Sequence, residues 1–283
     1  MAVVQVETLI ECGVHFGHRV SRWHPKMGRY IFGKRNQIHI VDIRQTILGL
    51  VRASNFLRQL AQSGKQLVFV GTKRQAKSLI QEEAERCGMH FVAERWLGGT
   101  LTNYHTIRSR LKRLEELEGY EQTGAIEQYS KKRISALRRE RKKIHRNLSG
   151  IRNLKSLPGC LVIVDVKREH IAVKEAKKLG IPIVAVVDTD CDPSDVDVVI
   201  PGNDDAYRSI QQILRVLSDA VIAGRDKYIE IQAEEEKKRL EEVKRKEDEE
   251  KVLAAARAAA AAKAKAATAA IAAAAATAKT VVP

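Results

Sequence analysis

Six short apolar runs constrain this chain more than any other feature: Ile38-His39-Ile40-Val41-Asp42-Ile43, Leu67-Val68-Phe69-Val70, His90-Phe91-Val92-Ala93, Leu161-Val162-Ile163-Val164, Ile183-Val184-Ala185-Val186-Val187 and Val198-Val199-Ile200. They are rich in β-branched residues and mostly continuous rather than alternating, which suits strands covered on both faces and hence a mainly parallel sheet. Helical patterns separate them. Thr46 to Leu60 sets Ile47, Leu50, Val51, Phe56 and Leu60 near one face, and Gln75 to Cys87 and His170 to Leu179 repeat the pattern. Alternating strand and helix predict an α/β fold, a Rossmann-like or flavodoxin-like parallel sheet flanked by helices.

Residues 104–156 interrupt that rhythm. Ile107, Leu111, Leu114 and Leu117 recur at helical spacing, Gly119 to Gly124 breaks the pattern, and Ile126, Tyr129, Ile134, Leu137, Ile144 and Leu148 resume it. Two amphipathic helices joined by a turn form an αα-hairpin, expected here as a coiled-coil-like insertion protruding from the sheet. After Asp226 the chain alternates blocks of Glu and Lys, and beyond Leu253 it becomes an Ala/Lys/Thr run with little to bury. The expected organisation is an α/β core over 1–103 and 157–225, a helical hairpin over 104–156, and a partly disordered extension over 226–283.

Charge is unevenly distributed. The formal net charge is +15, and residues 104–156 alone hold fifteen basic against six acidic residues, whereas 157–225 reverse the sign with eight against eleven. Concentrated positive charge points to a polyanion, because each neutralised phosphate releases condensed counterions; a solvated helix face is the plain alternative. The opening MAVVQVETLIECG lacks a secretory signature and no long apolar span is present, so a cytoplasmic, non-membrane protein is expected. Cys12, Cys87, Cys160 and Cys191 show no zinc-like spacing and are expected to stay reduced.

Catalytic signatures are missing: no GxGxxG follows a strand, and neither GxxxxGK[ST] nor GxSxG occurs. Val70-Gly71-Thr72-Lys73-Arg74 ends a strand and opens a helix, a place where free amides attract anions. Leu97-Gly98-Gly99-Thr100 reads as a helix-entry turn with Thr100 or Thr102 as cap. His15 and His18 are expected to be hydrogen-bonding histidines rather than ligands. The acidic loops Val187 to Pro193 and Pro201 to Asp205 each follow a strand, so Asp188 and Asp205 could share a structural divalent cation. The competing reading makes Asp192, Asp204 or Asp205 helix-start residues.

Several stretches together closely resemble the bacterial small-subunit ribosomal protein two family: Gly13-Val14-His15-Phe16-Gly17-His18, Trp23-His24-Pro25-Lys26-Met27, Tyr30-Ile31-Phe32-Gly33, Ile38-His39-Ile40, Phe69 to Arg74, Arg95 to Gly99 with Leu101-Thr102-Asn103, Gly180-Ile181-Pro182, Val187-Asp188-Thr189 and Ile200 to Asp205. The likeness runs from about Glu7 to Gly224 and omits the Ala/Lys/Glu extension. His24 stands where the family often has Asn, and Asp190-Cys191 where other small polar residues are common. The resemblance implies a Rossmann-like core with a helical hairpin and a non-enzymatic role without a required cofactor. It also implies assembly into the cytoplasmic small ribosomal subunit, with ribosomal RNA, other small-subunit proteins and ribosomal protein one as partners. RNA phosphates are then expected to meet Arg19, Arg22, Lys26, Lys34 and Arg35 in the amino-terminal segment, Lys73, Arg74 and Arg95 at helix starts, and Arg108, Lys112, Lys131, Lys132 and Arg133 on the hairpin. Trp23 and Trp96 could stack on a base or pack inside. The alternative is a nucleotide-dependent, RNA-directed enzyme working at the carboxyl edge of the sheet.

Overall fold

The protein is described in a computed structural model over residues 5–278, with side chains described to residue 242. Five strands, β4 (Leu67–Val70), β5 (His90–Val92), β6 (Cys160–Val164), β7 (Ile183–Val187) and β8 (Val198–Pro201), form a parallel sheet in the order β5-β4-β6-β7-β8. Counted within the sheet this is the 2-1-3-4-5 order of flavodoxin-like folds, with its switch point between β4 and β6.

The continuous apolar runs are explained by what covers each face. Leu67, Phe69, Val162, Val164, Val184 and Val186 point into one core, under α2 (Ile43–Gln62), α3 (Lys77–Cys87) and the start of α7 (Tyr207–Ala278). Their neighbours Val68, Val70, Leu161, Ile163, Ile183 and Ala185 point into the other, which α6 (His170–Leu179) closes. Helix α2 lies directly on β8, and a Cβ on Gly49 would come within 2.5 Å of the Val199 carbonyl oxygen, so only glycine permits this approach.

The run at Ile38 belongs to a different sheet from the other five. Strands β1 (Phe16–Arg19), β2 (Ile31–Arg35) and β3 (Ile38–Val41) make an antiparallel sheet in the order β1-β3-β2. The β2–β3 turn places Asn36 and Gln37 at φ 48° and 61°, the left-handed pair of a two-residue hairpin. The short helix α1 (Val6–Glu11) precedes this sheet.

Between β5 and β6, where a crossover helix is expected, the chain inserts α4 (Tyr104–Gln122) and α5 (Lys131–Leu148), joined through a 3₁₀ turn at Ala125–Gln128. Ile107, Leu111 and Leu148 pack into the sheet's second core, whereas Leu117, Ile126 and Leu137 form a small core of their own. Ion pairs between the two helices, Arg113 with Glu140 at 3.6 Å and Glu121 with Arg138 at 3.8 Å, reinforce the hairpin.

The chain divides into two units, Met1–Tyr228 and Ile229–Pro283. The first holds both sheets and the hairpin. In the second, residues 229–278 are helical and the side chains of 229–242 are exposed. The extension expected to be partly disordered over 226–283 is helical as far as residue 278, and its side chains beyond 242 lie outside the described residues.

Candidate functional site

Open parallel sheets hold ligands at the carboxyl ends of their strands, at the switch point. Here that crevice is occupied by the chain's own side chains. After β4, the Thr72 amide donates to the carboxylate of Glu169 at 2.9 Å, and the Thr72 hydroxyl donates to the same oxygen. Glu169 is buried and reaches across from the loop after β6. It stands where a nucleotide phosphate would sit at such a turn. Lys73 is only 13% exposed at its side chain and contacts Asp204 at 2.8 Å, Asp205 at 2.7 Å and Asp165 at 3.3 Å. Burial opposes its charge, yet Asp204 and its neighbours raise the lysine pKa above its ordinary value. Asp165 adopts a left-handed backbone (φ 69°), and its other oxygen accepts the Arg168 amide at 3.0 Å.

His18 extends this network. Its Nδ1 lies 3.0 Å from Asp188 Oδ2 and its Nε2 3.2 Å from Asp205 Oδ2. The close Asp188 carboxylate pushes the imidazole pKa up to about 9 against the burial that opposes it. The amino-terminal segment is pinned there by its backbone. The His18 amide donates to Thr189 Oγ1 at 2.8 Å, the His24 amide to the Thr189 carbonyl at 2.8 Å, and a Cβ on Gly17 would strike Thr189 Cγ2 at 2.6 Å. Asp204 is 1% exposed, and burial, followed by Asp188 and Asp165, raises its carboxyl to about 7.

These positions settle the helix-start readings. Asp192 does cap a turn, accepting the Ser194 amide at 2.9 Å. Asp204 and Asp205 instead face Lys73. The cap ahead of α7 is Asn203, whose side-chain oxygen accepts the amides of Asp205 at 2.8 Å and Ala206 at 3.1 Å.

The second glycine turn is filled in the same way. Glu175, on α6, accepts hydrogen bonds from the Gly99, Leu101 and Thr102 amides at 2.7, 2.9 and 3.1 Å and from Trp96 Nε1 at 3.2 Å. Burial alone would raise its pKa, but the converging donors lower it. The expected caps Thr100 and Thr102 make no cap bond to α4; the Thr100 hydroxyl donates to the Leu97 carbonyl, and Thr102 serves Glu175.

The sequence-expected RNA contacts therefore fall into three groups. Arg19, Arg22, Lys34, Arg35, Arg74, Arg95, Arg108, Lys112, Lys131, Lys132 and Arg133 are exposed and have no acidic partner among the described residues. Lys26 is exposed but paired with Asp192 at 2.8 Å. Lys73 and Trp96 are turned inward, Lys73 by three carboxylates and Trp96 (5% exposed) by its bond to Glu175. Trp23 stays 41% exposed, with its ring 5.4 Å from that of the buried His39. Glu169 and Glu175 escaped sequence reasoning. The signal for Glu175 was its place among Ala172, Val173 and Ala176, the apolar side of α6.

No helix among the described residues is long and apolar enough to cross a membrane. The family described as Ribosomal protein S2 matches residues 9–224. A relative from Rhodopirellula baltica, named small ribosomal subunit protein uS2, is 58% identical over 225 residues, covering 80% of this chain and 86% of the relative. A second with the same name, from Koribacter versatilis, is 53% identical over 224 residues, covering 79% of this chain and 74% of the relative.

Proposed function

The chain belongs to the Ribosomal protein S2 family, and from that premise we propose that it is a structural constituent of the small ribosomal subunit that binds ribosomal RNA through its unpaired basic surface and helps dock small-subunit ribosomal protein one. The family is structural and not enzymatic, and needs no cofactor. Its expected place is the cytoplasmic ribosome.

One observation carries the RNA reading: the acidic groups at the carboxyl edge of the sheet are paired inside the fold with Lys73 and His18, while eleven cations on the amino-terminal segment, the helix starts and the hairpin have no acidic partner among the described residues. Free cations on rigid elements suit phosphate contacts, and duplex RNA offers few base edges to side chains in its deep major groove. The expected test is binding of the full chain to small-subunit ribosomal RNA, with log K falling by roughly 0.7–0.9 per phosphate for each unit of log salt. Binding indifferent to salt contradicts it. The rival enzyme reading gains no support, because Glu169 and Glu175 already take the amides a substrate phosphate would need.

Docking of protein one finds support in apolar surface of the amino-terminal region, where Phe32 is 72% exposed and Phe16 45%. Phe32→Asp is expected to weaken capture of purified protein one while leaving RNA affinity unchanged; the opposite pattern counts against this assignment.

A structural divalent cation at Asp188 and Asp205 is the remaining part of the reading. Four carboxylates, Asp165, Asp188, Asp204 and Asp205, share two cationic partners among the described residues, Lys73 and His18, and Asp188 Oδ2 and His18 Nδ1 lie buried without a hydrogen bond of good geometry. The donor atoms of His18, Asp188 and Asp204 lie within 4.8 Å of one another, and the carboxylate oxygens among them are the kind of ligand a hard divalent cation takes. Protonation of Asp204, whose carboxyl burial raises to about 7, offers the fold another way to reduce the same excess charge. Elemental analysis of the purified protein separates the two: about one metal per chain, lost in Asp188→Ala, supports the cation.

A further inference from the structure

At the opposite edge of the parallel sheet, two loops enter the adjacent strands β4 and β6 side by side. Residues 64–66 lead into β4 and residues 155–159 into β6, and the Gly159 amide donates to the Gln66 carbonyl at 2.8 Å, tying the loops together. Between them lies a notch of about 510 Å³, within the size range of small-ligand sites. Lys65 and Lys155 line it, both exposed and without an acidic partner among the described residues. Gly159 keeps it narrow, since a Cβ there would meet Lys65 Cβ at 2.8 Å. Ser156 adds an exposed hydroxyl, and Leu157, 47% exposed, adds an apolar shelf. The amide oxygen of Gln66 is buried at the notch without a hydrogen-bond partner, a costly state for a polar atom unless a donor completes it.

We propose that this notch is a binding site for the ribose-phosphate backbone of RNA, in which Lys65 and Lys155 each take a phosphate and the Gln66 amide takes a ribose 2′-hydroxyl. The pieces match that ligand in kind. Two cations straddling a narrow gap suit successive phosphates. A side-chain amide beside them reads the hydroxyl that distinguishes RNA from DNA, and the leucine shelf suits the sugar. The site rests on the RNA-binding reading above but uses none of the basic residues already assigned to it, and it lies at the pole remote from the filled switch point.

The test measures equilibrium binding of the full chain to purified small-subunit ribosomal RNA across a salt series. Lys65→Gln with Lys155→Gln is expected to weaken binding about tenfold at moderate salt and to lower the log–log salt slope by about 1.5, as loss of two phosphate contacts requires. Lys65→Arg with Lys155→Arg should restore both. Gln66→Met should weaken binding severalfold with the slope unchanged, because no charge is lost. Unchanged thermal midpoints show that the variants fold, as expected for exposed lysines. If the Lys-to-Gln pair binds like the parent while a Lys131, Lys132 and Arg133 charge-removal variant loses affinity and slope, the notch is overturned and the general RNA reading stands. If the parent itself binds without salt dependence, both fall.

Discussion

Glu169 and Glu175 occupy, with carboxylates from within the chain, the two glycine turns at which this sheet order offers its amides to a phosphate. Five donors converge on Glu175, counting the Gly99, Leu101 and Thr102 amides, the Thr102 hydroxyl and the Trp96 indole. Glu175→Gln replaces a charged acceptor with an amide that cannot satisfy them all, and is expected to cost about 3 kcal/mol. In a chain of this size that is a fall of roughly 6–12 °C in thermal midpoint. The pH dependence has a definite sign. The folded pKa of Glu175 lies below its unfolded value of about 4.3. Its contribution is therefore complete above that pH and fades as the pH drops through the lower folded pKa, so the glutamine variant should show a flatter acid limb in a pH–stability titration. Lys73→Met, which leaves Asp165, Asp204 and Asp205 facing one another, is expected to cost about 3–5 kcal/mol by chemical denaturation. A loss near zero would mean that Lys73 is free for a partner after all. The burial of Lys73 was not legible in the sequence, because its partners lie far along the chain, and a lysine after a strand reads equally well as a phosphate contact. Glu169 and Glu175 were hidden for the same reason, since a glutamate near or within an amphipathic helix ordinarily faces water.

Among the elements, the five parallel strands and helices α2, α3 and α6 were readable because burial on both faces writes continuous apolar runs, and one-sided burial writes a helical stripe. The antiparallel sheet was harder to see. Phe16–Arg19 and Ile31–Arg35 are half-exposed and broken by glycine, and only the more apolar β3 announced itself, in company it does not keep. The closeness of α2 to β8 was also invisible. Gly49→Ala is expected to push the helix off the Val199 carbonyl and cost about 1–3 kcal/mol. Differential scanning calorimetry that found no loss would show the helix able to shift freely. On the hairpin, the apolar pattern of α4 and α5 was plain, and the charge it carries is mostly unabsorbed by the fold. Replacing Lys131, Lys132 and Arg133 with Glu should therefore leave the thermal midpoint within a degree or two while weakening RNA binding at least tenfold, because surface charges away from buried features contribute little to stability.

Over the molecule, charge is sorted by role. Carboxylates after β6, β7 and β8 gather around Lys73 and His18, whereas eleven basic residues of the amino-terminal segment, the helix starts and the hairpin are exposed without an acidic partner among the described residues. Such an arrangement spends its acidic side chains on holding the scaffold and reserves its cations for another molecule. Sedimentation of the native protein through a sucrose gradient at low salt tests that claim most directly. The full chain is expected to travel with small ribosomal subunits and to be released as salt rises, and the hairpin-reversed chain to remain near the top of the gradient although folded. A folded parent chain that also stays at the top, apart from ribosomal particles at any salt concentration, would contradict the account.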